Sequence, residues 1–463
     1  MTSPNSVLDL DELIAVLGDG AVVTDPDILR SFTHDAAALC DSTPPLAVVF
    51  PSSEADVQAI MRFSAKHLVP VVPQGALTGL SGAANGTPGC IALNTRRMNA
   101  IVELDVANRV AVVQPGVTNK QLKVAAAEQG LTYLPDPSSW ESSTIGGNIA
   151  TNAGGLCCVK YGVTARFVRG LRVVLADGRA MFVGRRTVKG VAGLSLAELF
   201  VGSEGTLGVV TEATVGLDFP ASAPLTMAAT FPSTAAAGVA VARTLAQGIT
   251  PSLFELLDRT TIRAIDAYAK MGFGSDAAAV LIAQSDTGVG ASAQLDAIAS
   301  ICTAAGASEV VVAENAAESD QLVQARRLAY PALESLGAPL VDDVSVPLSA
   351  LATMIDESER IAERIGIVIG VVGHAGDGNL HPTVIVDPED PASLDAANRA
   401  FDAIADVALR LGGTITGEHG VGLLKRDLLE KELDPVAATL QRGIKELLDP
   451  QYLLNPGKVL RAR

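Results

Sequence analysis

The chain is poor in aromatic side chains and in positive charge, and it lacks long apolar runs. Aromatic residues make up 4% of its 463 residues, and the formal net charge is −17 at pH 7. Few aromatic rings argue against a surface that stacks single-stranded bases. A negative field repels nucleic-acid phosphates and anionic lipid. No apolar stretch reaches the ~18 residues that cross a bilayer. We therefore expect no nucleic-acid partner and no membrane-spanning segment.

Cysteine is scarce as well. The five cysteines include the adjacent pair Cys157 and Cys158, and none of them forms a C-x-x-C motif. An odd number without this spacing is typical of free thiols in a reducing compartment, and it disfavours structural zinc held by cysteine. The first ten residues carry no basic segment and no long apolar core, so no signal peptide is expected. These features predict a cytoplasmic protein; peripheral association with the inner membrane stays open.

The composition is that of a folded globular protein, with 48% hydrophobic and 18% charged residues. A chain of this length exceeds one hydrophobic core, so two or three domains are expected. A β-α-β unit is predicted over 47–72, and the segment 219–224 predicts a domain boundary. Strands and helices alternate from 225 to about 413. This pattern predicts an α+β fold in which an antiparallel sheet carries helices on one face.

Some local predictions are specific enough to be tested against the structure. Helical spacing covers 8–17, and a further helix over 319–336 is expected to break or kink at Pro331. The stretch 138–155 is dense in glycine and small polar residues. It predicts a long loop without regular structure, and such loops are usually functional.

Three glycine-rich stretches follow predicted strands or turns, at 73–82, 138–155 and 199–210. Backbone N–H groups of such loops bind phosphate. The stretch 73–82 matches neither the G-x-G-x-x-G fingerprint nor the lysine-bearing P-loop. Taken alone, the first of them is explained equally well as a plain surface loop.

Histidine is concentrated in one region. Of five histidines, His374 and His381 bracket a glycine-rich stretch at 371–381, and His419 directly follows Glu418. Imidazole and carboxylate are ligands for zinc, manganese or iron. Spacing leaves two alternatives open: a divalent metal site, or loop histidines that are hydrogen-bonded to the backbone.

Six stretches, in the same order along the chain, resemble the FAD-linked 2-hydroxy-acid dehydrogenases of the vanillyl-alcohol-oxidase flavoprotein superfamily. The group most similar contains D-lactate dehydrogenases, glycolate oxidase large subunits and D-2-hydroxyglutarate dehydrogenases. The matching stretches are 73–82, 144–155, 202–210, 373–381, 417–420 and 455–458. The resemblance implies a bipartite FAD-binding domain at 1–219, an antiparallel-sheet cap domain at 220–413, and a C-terminal segment at 414–463 that returns to the FAD domain.

The resemblance implies FAD as cofactor. Its diphosphate would be bound by the backbone of Pro73, Gln74, Gly75, Ala76, Leu77, Thr78 and Gly79. The flavin and diphosphate would be lined by Ser138, Thr144, Gly147, Asn148, Thr151 and Gly154. Near the adenosine half or the ring edge would lie Glu204, Gly208, Val209 and Val210, with Asn455 near the ring. Neither of the first two loops contains a histidine for covalent attachment, so non-covalent FAD is expected.

The same resemblance implies a divalent metal, zinc or manganese, held by His374, His381 and Glu418. It implies His419 as the catalytic base and Arg326, in preference to Arg327, as the partner of the substrate carboxylate. A guanidinium offers a bidentate fork for that purpose. Asn379 is expected as a further polar group of the catalytic site, with a plain turn residue as the alternative.

The implied activity is oxidation of a small D-2-hydroxy acid, such as D-lactate or glycolate, with hydride passing to flavin N5. A quinone, a cytochrome or an electron-transfer protein would reoxidise the flavin, and a homodimer stays open. In hydroxyglutarate enzymes a lysine precedes the D-x-S-x-P strand, where this chain has Val341. That difference disfavours a five-carbon diacid. The alternatives are a D-2-hydroxyglutarate-type dehydrogenase, an alkyl-glycerone-phosphate synthase-like transferase, and a non-catalytic FAD subunit of a larger oxidase.

Overall fold

The computed structural model describes residues 10–18, 20–37 and 39–461, and its strands form three sheets. The first sheet has the order β1-β2-β4-β3, in which β2, β4 and β3 are parallel and β1 is antiparallel. Its strands are β1 (Val22–Val23), β2 (Ala47–Val49), β3 (Val71–Gln74) and β4 (Ile91–Asn94). The predicted β-α-β unit is confirmed. Its second strand starts at Val71, after Pro70, which has no N–H group for the ladder.

The second sheet is antiparallel, with the order β5-β6-β9-β7-β8. Its strands are β5 (Ile101–Asp105), β6 (Val110–Val113), β7 (Val168–Val174), β8 (Ala180–Gly184) and β9 (Val209–Gly216). A hairpin that turns at Asp177 and Gly178 joins β7 to β8.

The third sheet is antiparallel and has eight strands. Seven follow the order β13-β10-β12-β11-β16-β17-β14, and β15 pairs with β17 beside β14. The strands are β10 (Leu225–Phe231), β11 (Leu253–Asp258), β12 (Ala279–Ser285), β13 (Glu309–Val312), β14 (Ala338–Val341), β15 (Val344–Ser345), β16 (Val368–His374) and β17 (Asn379–Val386). An antiparallel sheet in this part of the chain is therefore confirmed.

Fifteen α-helices connect these strands within the described residues. They are α1 (Asp11–Leu17), α2 (Pro26–Leu29), α3 (Glu54–His67), α4 (Asn119–Ala127), α5 (Ile145–Thr151), α6 (Cys158–Tyr161), α7 (Ala197–Phe200), α8 (Thr234–Ala246), α9 (Arg259–Ala269), α10 (Ala291–Ala304), α11 (Ala316–Glu334), α12 (Leu351–Ile365), α13 (Pro391–Arg410), α14 (Arg426–Glu432) and α15 (Pro435–Leu448). The first two residues of the predicted helix at 8–17 lie outside the described residues.

Helices cover both faces of the third sheet, so the prediction of helices on one face is wrong. Phe254 and Leu256 of β11 pack in one apolar core with α8, α10, α12 and α13. Leu253 and Leu257, which point the opposite way, pack in another core with α9 and α11. Every residue of β11 is buried. The strand therefore lacks the alternation of apolar and polar residues that is typical of a half-exposed sheet. The prediction from the sequence missed that helices cover both of its faces.

Two other local predictions are corrected. The stretch 138–155 contains the helix α5, whose first turn is capped by the Thr144 hydroxyl, which accepts from the Gly147 N–H at 3.2 Å. Glycines at its start obscured the helical pattern. The helix α11 continues through Pro331 to Glu334 without a break, since the proline lies within its last turn and a half.

The end of the chain packs against its beginning. The Val71 N–H donates to the Leu453 carbonyl at 2.8 Å, and the Asn455 N–H donates to the Val71 carbonyl at 2.8 Å. The buried Lys445 of α15 donates to the carbonyls of Thr206 and Leu454. Residues after β17 are thereby fixed against the first sheet. Among the described residues, none of the helices combines the length and apolar character that crossing a bilayer requires.

Candidate active site

Three side chains converge at the turn between β16 and β17. His374 and His381 are diagonal neighbours on one face of this strand pair, and Glu418 reaches them from the later segment. His374 Nε2 lies 3.1 Å from His381 Nε2, and Glu418 Oε1 lies 3.6 and 3.2 Å from the same two nitrogens. Ligand atoms on a tetrahedral ion are separated by roughly 3.3 Å when each bond is about 2.0 Å. The donor set and its spacing fit a divalent ion with one open position.

His374 is oriented from behind by Glu255. This carboxylate lies opposite His374 in the register of β11 and β16, and its Oε1 is 2.5 Å from His374 Nδ1. Its other oxygen accepts from Arg326 Nε at 2.6 Å. A metal-bound imidazole normally donates its second N–H to such a carboxylate, which fixes the ring and the tautomer. Glu255 therefore connects the predicted metal ligand to the predicted substrate arginine.

The charges in this group support one another. Burial works against ionisation of both carboxylates. His374 and Arg326 nevertheless hold the pKa of Glu255 below its usual value. The two histidines hold the pKa of Glu418 well below its usual value. Burial also opposes the charge on His374, yet Glu255 and Glu418 keep its pKa well above the usual value. The carboxylates are ionised at neutral pH, as metal ligation requires.

His419 lies beside this group on the turn after Glu418. Its ring stacks on His381, with ring centroids 5.2 Å apart. Burial lowers the pKa of His419, against the attraction of Asp343. Its Nδ1 is 3.5 Å from Asp343 Oδ1 and has no hydrogen-bond partner among the described residues. A buried imidazole that is neutral near pH 7 has the chemistry of a general base.

The turn that presents Glu418 and His419 is built on Asp343. One Asp343 oxygen accepts from the backbone N–H groups of Gly417 and Glu418 at 2.7 Å each. The other accepts from Thr416 Oγ1 at 2.8 Å and from Lys425 Nζ at 2.5 Å. Burial raises the pKa of Asp343, but electrostatic attraction to His419, Lys425 and His381 outweighs it and holds the pKa below its usual value. The sequence had singled out neither Asp343 nor Lys425.

Asp342, Asp343 and His419 form a second group with metal-ligand spacing. Lys425 Nζ lies 2.6 Å from Asp342 Oδ1 and 2.5 Å from Asp343 Oδ1. The Lys425 ammonium group neutralises the acidic pair, and the side chains of Asp342, Asp343 and Lys425 are buried. This group is therefore an ion-paired support for the turn.

A cavity passes between the first two sheets and this turn. We call it the cofactor cavity. Its wall contains all but one of the residues predicted to bind FAD: Pro73, Gln74, Gly75, Ala76, Leu77, Thr78, Gly79, Ser138, Thr144, Gly147, Asn148, Thr151, Gly154, Glu204, Gly208, Val209 and Val210. It also contains Glu418 and His419. The three glycine-rich stretches thus meet at one cavity.

Asn455 is the exception and lies behind the wall. It is buried, and its Nδ2 donates to the carbonyls of Ala83 and Glu204 at 2.8 and 2.7 Å. Glu204 itself turns its carboxylate away, accepting from the N–H groups of Val421 and Gly422 at 2.8 Å each. Burial raises the pKa of Glu204 to about 7. Through these hydrogen bonds, Asn455 and Glu204 attach the C-terminal segment to the wall of the cofactor cavity.

A second cavity lies on the other side of the metal-ligand group. Its wall includes Arg326, His374 and His381, and it shares Glu418 and His419 with the cofactor cavity. The predicted base and ligands therefore stand where the two cavities meet. Arg326, 22% exposed, lines this wall, whereas Arg327 is 56% exposed and pairs with Asp320.

Asn379 lies outside both of these walls. It begins β17, and its buried Oδ1 has no partner among the described residues. The amide packs under Gly417, where a Cβ atom would come within 2.5 Å of Asn379 Oδ1. Asn379 therefore packs against the turn that carries Glu418, and its role as a further polar group of the site stays a prediction.

Comparison with known proteins gives the class of the chain. The family model described as the FAD binding domain matches residues 45–184, and the model described as the C-terminal domain of FAD linked oxidases matches residues 222–459. The second match covers more than half of the chain. The protein belongs to the FAD-linked oxidases and is an FAD-dependent oxidoreductase with the vanillyl-alcohol-oxidase type of fold.

Particular relatives sharpen this class. The chain is 40% identical to the glycolate oxidase subunit GlcD of Bacillus subtilis, over 92% of this chain and 91% of the relative. It is 36% identical to the D-lactate dehydrogenase of Archaeoglobus fulgidus, over 94% and 98% of the two chains. A solved structure of p-cresol methylhydroxylase shares the fold, with a TM-score of 0.79 and 18% identity over 97% of this chain and 96% of that one.

The cofactor cavity fits the FAD that the family requires. Gln74 Oε1 and Asn148 Nδ2, which lie at its wall, are buried without a partner among the described residues. Such atoms are costly unless a bound group or water satisfies them. Leu77 and Glu204 adopt left-handed backbone conformations, with φ of 61° and 51°. Strain of this kind collects at ligand sites. A side chain at Gly154 would displace the Glu418 carboxylate, because its Cβ atom would lie 2.4 Å from Glu418 Oε2.

Glu255 allows a direct test of the metal-ligand group. We expect Glu255→Gln to weaken divalent-metal affinity about 10- to 100-fold, because His374 loses the carboxylate that orients its ring. The measurement is a titration of the apoprotein with zinc and manganese. The matched control is Asp258→Asn, which neutralises another buried carboxylate of the same strand. This variant should bind metal like wild type. Equal affinity in the Glu255 variant and the control would contradict this role.

Proposed function

We propose that the protein oxidises a D-2-hydroxy acid to the 2-oxo acid with non-covalently bound FAD and a divalent metal, zinc or manganese. The observation that carries the proposal is the position of His419 and the metal-ligand group between the two cavities. One cavity fits the cofactor, and the other offers Arg326 to a carboxylate. The names of the relatives, glycolate oxidase subunit and D-lactate dehydrogenase, support a 2-hydroxy acid as the substrate class.

The two bound groups supply what side chains lack. FAD, when bound, accepts the hydride from the alcohol carbon. A divalent ion, when bound, lowers the pKa of the alcohol. Among the described residues of the cofactor-cavity wall, His419 is the single histidine and cysteine is absent. This supports non-covalent FAD.

The chain's own residues then have separate tasks. Arg326 binds the substrate carboxylate and fixes which face of the carbon points to the cofactor cavity. His374, His381 and Glu418 would hold the divalent ion. His419 takes the hydroxyl proton on its ring, and Asp343 stabilises the imidazolium that forms. Adjacent residues on one turn would thus supply one ligand of the ion, Glu418, and the base, His419.

Arg326 and its neighbour form a natural pair of variants. We expect Arg326→Lys to lower kcat/KM about 10- to 100-fold, chiefly through KM, because a charged hydrogen bond contributes about 1.5–3 kcal/mol and lysine cannot replace the fork. Arg327→Lys makes the same change on the exposed side of α11 and should leave kcat/KM near wild type. A larger loss in the Arg327 variant would show that the arginines are assigned the wrong way round.

The experiment that tests the proposal is anaerobic titration of the purified protein with a panel of D-2-hydroxy acids. Bleaching of the flavin absorbance is the expected result, together with turnover when an artificial dye is the electron acceptor. A transferase without net redox chemistry would leave the flavin oxidised throughout. No bleaching by any acid of the panel, in protein loaded with FAD and metal, would overturn the proposed activity.

A further inference from the structure

The second cavity has a polar end and an apolar remainder. Its charged or ionisable groups at the polar end are Arg326 and the histidines and glutamate of the metal-ligand group, which are connected through Glu255. The remainder of the wall comes from α11, β14, β16, β17, α13 and several loops, and it is mostly apolar, with Ser138, Tyr330 and Thr383 as its polar members. Its main apolar side chains are Leu156, Leu333, Pro339, Leu340, Val341 and Phe401.

This wall places two constraints on the substrate. Within the described part of the wall, Arg326 is the only arginine and lysine is absent. A second carboxylate on the substrate would therefore find no second cationic side chain in this wall, and burying it without one is costly. The hydrogen of glycolate or the methyl group of lactate would leave most of the apolar wall facing water. An apolar group of matching size would instead displace that water, with a gain in proportion to the area buried.

We propose that the preferred substrate is a D-2-hydroxy monoacid with a bulky apolar side chain, branched aliphatic or aromatic. With the carboxylate on Arg326 and the hydroxyl at the metal-ligand group, this side chain packs against Leu333, Leu340, Val341 and Phe401. The inference rests on the proposed function and narrows it. It makes the apolar wall of the second cavity the determinant of specificity among 2-hydroxy acids.

A chain-length series with wild-type protein tests this directly. The substrates are glycolate, D-lactate, D-2-hydroxybutanoate, D-2-hydroxyhexanoate, D-2-hydroxy-4-methylpentanoate, D-3-phenyllactate and D-2-hydroxyglutarate. The expected result is a rise in kcat/KM of about fourfold for each added methylene that is buried, the ratio that ~0.8 kcal/mol gives. D-2-hydroxyglutarate should fall well below the branched acid.

A substitution that fills part of the second cavity tests where the substrate side chain binds. Val341→Phe should lower the ratio of kcat/KM for D-2-hydroxy-4-methylpentanoate over glycolate by at least about fivefold, since overpacking costs roughly 1–3 kcal/mol. Val311→Phe makes the same exchange on β13 of the same sheet, at a position 42% exposed, and should keep the wild-type ratio. If the Val341 variant does not fold, the series with wild-type protein still decides.

The results separate the inference from the function on which it rests. A flat series, a preference for glycolate or lactate, or a preference for the diacid would overturn the inference and leave the oxidation of 2-hydroxy acids standing. An unchanged ratio in Val341→Phe would also overturn it. Failure of every acid to bleach the flavin would instead overturn the proposed function.

Discussion

His419→Ala is expected to lose about 10²- to 10⁴-fold in kcat while keeping FAD and metal. This is the range that a positioned general base contributes. The fold should survive the change, because Asp343 still accepts from the Gly417 and Glu418 N–H groups and from Lys425. The metal ligands belong to other residues, so the ion should stay. The measurement is steady-state turnover with a dye acceptor, alongside the flavin spectrum and the metal content.

The control for this variant is another histidine of the chain. His67→Ala removes a ring at the end of α3 that contacts Glu12, at 3.1 Å, and Phe63, remote from both cavities. It should turn over like wild type. Turnover in His419→Ala within a few-fold of wild type, with flavin and metal retained, would remove His419 from the mechanism.

Removal of the metal is expected to abolish turnover without releasing the flavin. The three ligand atoms come from β16, β17 and the turn at Glu418, and they lie 3.1–3.6 Å apart beside the second cavity. Without an ion the alcohol keeps its high pKa, and His419 must remove a proton from an unactivated hydroxyl. The wall of the cofactor cavity is formed mainly by residues other than the metal ligands. The flavin spectrum should therefore persist after chelation and gel filtration.

The decisive part of that experiment is recovery. Zinc or manganese added back to the chelated protein should restore turnover, and magnesium, which prefers all-oxygen ligands, should not. Glu418→Gln should prevent recovery, because a neutral amide is a poor ligand. Full activity in protein shown to be free of metal would mean that His374, His381 and Glu418 serve only to hold the turn together.

Much of the site was accessible from sequence because it depends on local chemistry. Glycine-rich stretches after strands, two histidines around a turn, and a glutamate beside a third histidine are each short-range patterns. Their order along the chain resembled one flavoprotein family, and the matches at 45–184 and 222–459 show that family. The pattern of apolar residues also predicted the antiparallel sheet, because strand spacing is a local property.

Contacts between distant segments could not be predicted in this way. Glu255 is 119 residues from His374 and lies in an apolar strand whose pattern gave it no special place, although a carboxylate inside such a strand was itself a signal. Asp343 and Lys425 are 82 residues apart and meet only because β15 and the turn at 417–420 pack together. No short-range pattern encodes such pairs.

The residue types of the site, their order and the cofactor class were therefore determined by sequence alone. Which arginine faces a cavity, where Asn455 and Asn379 lie, and how apolar the second cavity is were decided only by tertiary structure. The physical reason is that side-chain identity sets what a group can do chemically, whereas burial and the convergence of remote segments set which groups meet. Burial and the convergence of remote segments depend on how helices cover both faces of the third sheet, and this coverage is a property of the whole chain.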